Sequence, residues 1–217
     1  MFQGIVLPGS SLLNEYRRYR NVATALNHRI MNVALDKATL DRAGKWLGIT
    51  KRGVLVFDSD DETSVLMDYA LYEVRKHGKS VVQRYQEEGG EQDQIEQELL
   101  AAMVAAKAGL FRVESTSRQM SNVTLSDAID GSSVTLTDIG FSQTLTAGPM
   151  VFFRPVQLSL FTMTSGIAFV FPGEMEHELR DLYRKWHDLD SSERYARFFK
   201  LNRNRGLTTE YAPVGKS

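Results

Sequence analysis

The sequence predicts an α+β protein: an N-terminal helical region (1–108), a central small antiparallel β-barrel-like module (109–172), two C-terminal helices (173–204) and a flexible tail (205–217). Three observations predict it. Charge is dense at both ends and sparse between: residues 1–108 hold 14 basic and 15 acidic side chains, residues 173–217 hold nine and eight, and residues 109–172 hold three and four. The middle zone also takes seven of the eleven Phe residues and is rich in Thr, Ser and Val, the residues that strands favour. Apolar spacing changes with composition, from three-four spacing before Ala108 to alternation from Leu110 onward.

Each element has its own justification. Leu12, Leu13, Tyr16, Tyr19, Ala23, Leu26, Ile30 and Met31 fall on one face of a helix over about 11–35. Asp36 caps a second helix carrying Leu40, Ala43, Trp46 and Leu47, which stops at Gly48. Ser59-Asp60-Asp61-Glu62 has the form of a capping box ahead of Val65, Leu66, Tyr69 and Tyr72. A short helix over 80–87 and a longer one over 91–108, with Ile95, Leu99, Leu100 and Met103 inward, complete the zone. Strands are expected at 110–114, 123–125, 134–139, 150–160 and 167–171, with turns at Asp130-Gly131, Ala147-Gly148-Pro149 and Ser165-Gly166. So many short strands in so few residues predict a strongly bent sheet or partly closed barrel. Helices over 174–187 and from Asp190 onward follow, and the segment after Asn204 has no periodicity.

Composition excludes several classes. A chain of 217 residues with net charge −1 and 42% apolar content collapses rather than staying disordered. The absence of cysteine removes thiol catalysis, cysteine zinc sites and disulfides. Near-neutrality argues against a chain that coats nucleic acid by overall charge, leaving local patches. Met1–Gly9 has no basic start and too short an apolar stretch for a signal peptide, and no apolar run approaches the roughly 20 residues that span a bilayer. A cytoplasmic protein without a membrane partner is expected.

Three motifs could carry chemistry. Val54-Leu55-Val56-Phe57-Asp58-Ser59-Asp60, an apolar strand ending in Asp-x-Asp, resembles the first motif of haloacid-dehalogenase-type phosphotransferases. That resemblance implies Asp58 as nucleophile, Asp60 as proton shuttle and Mg²⁺ beside them. Asp61 and Glu62 stand where the family has Gly-Thr, and a helix start explains the same residues. Residues 39–57 resemble a helix-turn-helix that would offer Thr50, Lys51 and Arg52 to DNA, although Gly53 and Val54-x-Val56 disfavour a helix there. Basic residues interleaved with aromatics, Arg17, Arg18 and Arg20 on the first helix and Arg194, Arg197, Lys200 and Arg203 on the last, suit phosphate contacts, and equally suit a solvated helix face.

No cofactor fingerprint is present, and His177 with Asp181 makes only two of the ligands that a metal centre needs. Strand parity singles out one further residue. Met150, Phe152, Arg154, Val156, Leu158 and Leu160 share a face, so Arg154 is expected to be buried and to need an acid. Asp138, or else Asp127, is the expected partner, and a ligand-binding arginine is the functional alternative to a structural ion pair. The sequence therefore reads as a non-catalytic binding or adaptor protein, contacting a protein or nucleic acid through the β module or the basic helices. A Mg²⁺-dependent phosphotransferase using Asp58 and Asp60 and a helix-turn-helix DNA binder are the rivals.

Overall fold

The computed structural model describes residues 9–89 and 93–207. The tail beyond Leu207, the expected helix start at Glu91 and the N-terminal stretch before Gly9 lie outside the described residues. Helix α1 (Gly9–Ala34) leads into α2 (Lys37–Leu47), where the Asp36 side chain accepts from the Thr39 amide at 2.7 Å. Gly48 ends α2 in the left-handed region at φ 80°, its amide bonding to the carbonyls of Gly44 and Lys45.

The helix-turn-helix expectation fails at the next step. Strands β1 (Thr50–Lys51) and β2 (Val54–Leu55) form a tight antiparallel hairpin across Arg52 and Gly53, both at positive φ, so no recognition helix follows α2. Helix α3 (Asp61–Tyr72) starts without the expected box. Asp60 makes no side-chain cap, and Glu62 instead reaches back to the amide of Asp58 at 2.9 Å. A reciprocal capping box does form at α4 (Val81–Glu88), between Ser80 and Gln83. Helix α5 (Gln94–Ala105) is capped by Asp93.

The middle zone closes into a five-stranded barrel. Its strands are β3 (Gly109–Ser117), β4 (Asn122–Asp127), β5 (Ser133–Thr137), β6 (Met150–Gln157) and β7 (Thr162–Phe171), paired in the order β3-β4-β5-β7-β6 with β6 returning to β3. It is not wholly antiparallel, because β5 meets β7 in parallel at Leu136 and Thr162. The strand expected to continue to Ile139 breaks at Asp138, whose carboxylate caps α6 (Ile139–Thr144) through the Phe141 amide at 3.0 Å. Phe141 and Leu145 then plug a barrel interior filled by Phe111, Val113, Val123, Leu125, Val151 and Phe153. This order, with the third and fifth strands parallel and a helix between the third and fourth, is that of the oligonucleotide/oligosaccharide-binding (OB) barrel.

Helices clad one side of the barrel. Leu110, Met150, Phe152, Phe169 and Phe171 point outward and pack with residues of α2, α3, α7 (Glu176–Lys185) and α8 (Ser191–Arg205), while a second core joins α1, α4 and α5 to Val156, Phe161 and Met163. β6 is thus buried on both faces. Between Phe153 and Pro155 the β6–β7 register shifts, so that Ser165, Gly166 and Ile167 bulge from β7, with Gly166 at φ 122°.

Candidate functional site

Arg154 stands where the outer face of β6 meets α3. Its side chain is 3% exposed, as its parity requires, but its partners come from α3 and not from the barrel. Nη2 donates to Glu73 Oε1 at 2.5 Å and lies 3.7 Å from Asp68 Oδ2, Nη1 donates to the Ala106 carbonyl at 3.2 Å, and the guanidinium lies 4.2 Å from the Tyr72 ring centre. The expected contact with Asp138 is absent because the even face of β6 points away from the barrel interior, toward the helices. Asp138 holds Arg20 instead, at 2.9 Å, and Asp127 accepts amides of its own turn.

The electrostatics follow from this burial. Burial alone would lower the Arg154 pKa, yet the carboxylates of Asp68 and Glu73 outweigh it and raise the value, keeping the guanidinium charged. Burial pushes Asp68 up, with Arg154 acting against it. Tyr195 rises well above its ordinary value, first by burial and then by the nearby Asp68 charge. Ser165 from the β7 bulge and Tyr195 from α8 both interact with Asp68 electrostatically, yet neither hydroxyl, nor Asp68 Oδ2, completes a hydrogen bond of good geometry. Arg154 Nε likewise has no partner among the described residues.

On the Glu73 side this seam opens into a cavity of about 340 Å³ between α4, α5, α8 and β6. Arg75, Lys107, Arg154 and Arg194 line it, against the single carboxylate of Glu73. Glu73 is already occupied, by Arg154 and by the Ser191 hydroxyl at 2.7 Å. Arg75 donates to the Gly78 carbonyl and Arg194 to that of His187, while Lys107 is exposed with no hydrogen bond or ion pair among the described residues. Asp190, held by the amide and hydroxyl of Ser192, lies close enough to feel Arg75 and Arg194. Even with Asp68 and Asp190 behind the walls, cations outnumber carboxylates four to three. The arrangement can hold an anion through charge-assisted hydrogen bonds.

The other sequence candidates are dispersed. Arg17 and Arg18 are exposed on α1, touching Asn14 and Glu15. Arg20 is committed to Asp138 and to the Thr164 carbonyl. On α8, Arg197 pairs with Glu193 at 2.6 Å, Arg203 pairs with Asp58 and Glu62, and Lys200 is exposed. Of that series only Arg194 reaches the cavity. Asp58 is taken by Arg203, and β2 is a two-residue hairpin strand, so the Asp58/Asp60 pair does not lie at the end of a parallel sheet as phosphotransferase chemistry requires. His177 and Asp181 pair at 3.4 Å on an exposed face, and no group of three metal-ligating side chains occurs among the described residues. Sequence reasoning missed Lys107 and the stretch holding Asp68, Glu73 and Arg75, which meet Arg154 and Arg194 only through packing.

The outer face of β4 and β5, where OB barrels take strands, presents Thr124, Ser126, Ser133 and Thr135, and the cation beside them, Arg112 of β3 opposite Ser126, is held by Glu114 and Glu176. The molecule is therefore a helix-clad barrel of OB topology with its cationic recess at the seam between barrel and helices. The chain belongs to the family of unknown function DUF7986, whose model matches residues 10–212. No curated protein matches the chain, and no solved structure does. No helix among the described residues is long and apolar enough to cross a membrane.

Proposed function

We propose that this protein is a non-catalytic binding protein of the cytoplasm whose partner is a nucleic-acid strand, held through phosphate in the cavity at the barrel–helix seam. The observation that carries the reading is the convergence of Arg75, Lys107, Arg154 and Arg194 on one cavity against one occupied carboxylate. Arg is suited to forked contacts with phosphate oxygens and Lys to point-charge contact, and such contacts position a strand without reading its bases.

The test is fluorescence anisotropy with short single-stranded RNA and DNA over a salt series. Binding is expected to weaken with salt, each neutralised phosphate adding about −0.7 to the log–log slope. The variant Arg75→Gln/Lys107→Gln/Arg194→Gln should flatten that slope by about 0.7, the share of the one phosphate held in the cavity. Absence of salt-sensitive binding by the wild type overturns the reading.

A further inference from the structure

Resting on that reading, we propose that the cavity receives the terminal phosphate of the strand, a phosphomonoester, and not an internal phosphodiester. The first ground is shape. A strand bound along its length needs an open track with cations in sequence, whereas here four cations surround one cavity of about 340 Å³, at the small end of ligand-pocket size. The second ground is charge. A monoester carries about −1.5 to −2 at neutral pH with three acceptor oxygens, whereas a diester carries a single charge. Arg75, Lys107 and Arg194 form no ion pair among the described residues, and these three free charges suit the more highly charged group.

The third ground is the fit of the donors. Arg154 is anchored at the cavity wall by Glu73 and Ala106, its buried Nε–H has no partner among the described residues, and neither has Lys107. With Arg154 held by Glu73 and Ala106, Arg75 by the Gly78 carbonyl and Arg194 by the His187 carbonyl, chiefly Lys107 is left to order when an oxyanion binds. The fourth ground is an exit. Ala106 and Lys107 also line a neighbouring groove of about 690 Å³ that runs along β5 past Ser133, Thr135 and Gln157. Among the described residues Lys107 is the groove's only charged one, so the nucleotides beyond the end group meet hydroxyls, an amide and small apolar side chains there, and neither phosphate clamps nor stacking rings. Recognition thus concentrates at the strand end.

The experiment compares short single-stranded RNA and DNA carrying a 5′-phosphate, a 3′-phosphate or hydroxyls at both ends, with a nucleoside monophosphate as a separate ligand. One phosphorylated end is expected to bind about tenfold or more tightly than the hydroxyl-ended strand. The variant Arg75→Gln/Lys107→Gln, both positions being exposed, should abolish that preference while thermal unfolding confirms that it remains folded. Equal affinity for all three ends overturns the end-phosphate proposal while leaving strand binding intact. A nucleoside monophosphate that binds as tightly as the phosphorylated strand overturns the strand as the source of the phosphate. Failure of every strand to bind in a salt-sensitive way overturns the underlying reading itself.

Discussion

Arg154 illustrates what a single residue reveals and conceals. Alternation along β6 placed it on an apolar face, and its burial with carboxylates follows from the cost of an isolated buried charge. The identity of those carboxylates was not legible, because both faces of β6 are buried and parity cannot say which face meets helices. Replacing Arg154 with Met leaves Glu73 and Asp68 uncompensated beside each other. Urea denaturation of Arg154→Met should show a loss of about 3–5 kcal/mol. Retention of full stability would mean that the ion-pair seam contributes nothing to the fold.

At the scale of elements, caps and breakers were the most legible features. Asp36 and Gly48 bound α2 as their residue types demand, and Gly53 followed by Val54 turned a possible recognition helix into a hairpin. Asp138 misled, since the same short carboxylate that can end an apolar strand face is also a good N-cap, and here it starts α6. The hydroxyl and amide of Thr39 hold Asp36 down at about 2. A depressed carboxylate contributes stability above its unfolded value of about 3.9 and loses it as pH falls toward 2. Asp36→Ala should therefore cost about 1 kcal/mol at neutral pH, and thermal melts should show that deficit shrinking between about pH 4 and 2. Gly166 offers a second check. A Cβ there meets nothing within 4 Å, so any cost of Gly166→Ala is that of its backbone at φ 122°. Chemical denaturation should give about 1–3 kcal/mol, and no loss would show that the bulge relaxes freely.

For the whole molecule, class and element order could be read from composition and periodicity, but strand order could not. Pairing of β3 with β6 and of β5 with β7 joins residues far apart in the chain, and nothing local specifies it. The basic cavity was illegible for the same reason, since Arg75, Lys107, Arg154 and Arg194 come from four separate segments. One apolar cluster contains Ala43, Leu66, Leu110, Phe152, Leu179 and Phe198, and so spans the three compositional zones. The barrel segment 109–172 should accordingly fail to fold alone. Uncovering Leu110, Met150, Phe152, Phe169 and Phe171 forfeits on the order of 10 kcal/mol, comparable with the stability of a whole domain. Circular dichroism and NMR of that fragment should show no cooperative structure, and a dispersed, folded spectrum would contradict the shared core.

The central claim, that a phosphate sits among these four cations, is tested most directly at Arg154 itself. Its Nε–H is buried and unpartnered, so its NMR resonance should be protected from exchange and assignable through Arg154→Lys. Titration with a 5′- or 3′-phosphorylated single strand should shift that resonance in step with strand binding. Strand binding that saturates while the Arg154 Nε–H resonance stays in place would put the phosphate elsewhere and contradict the account.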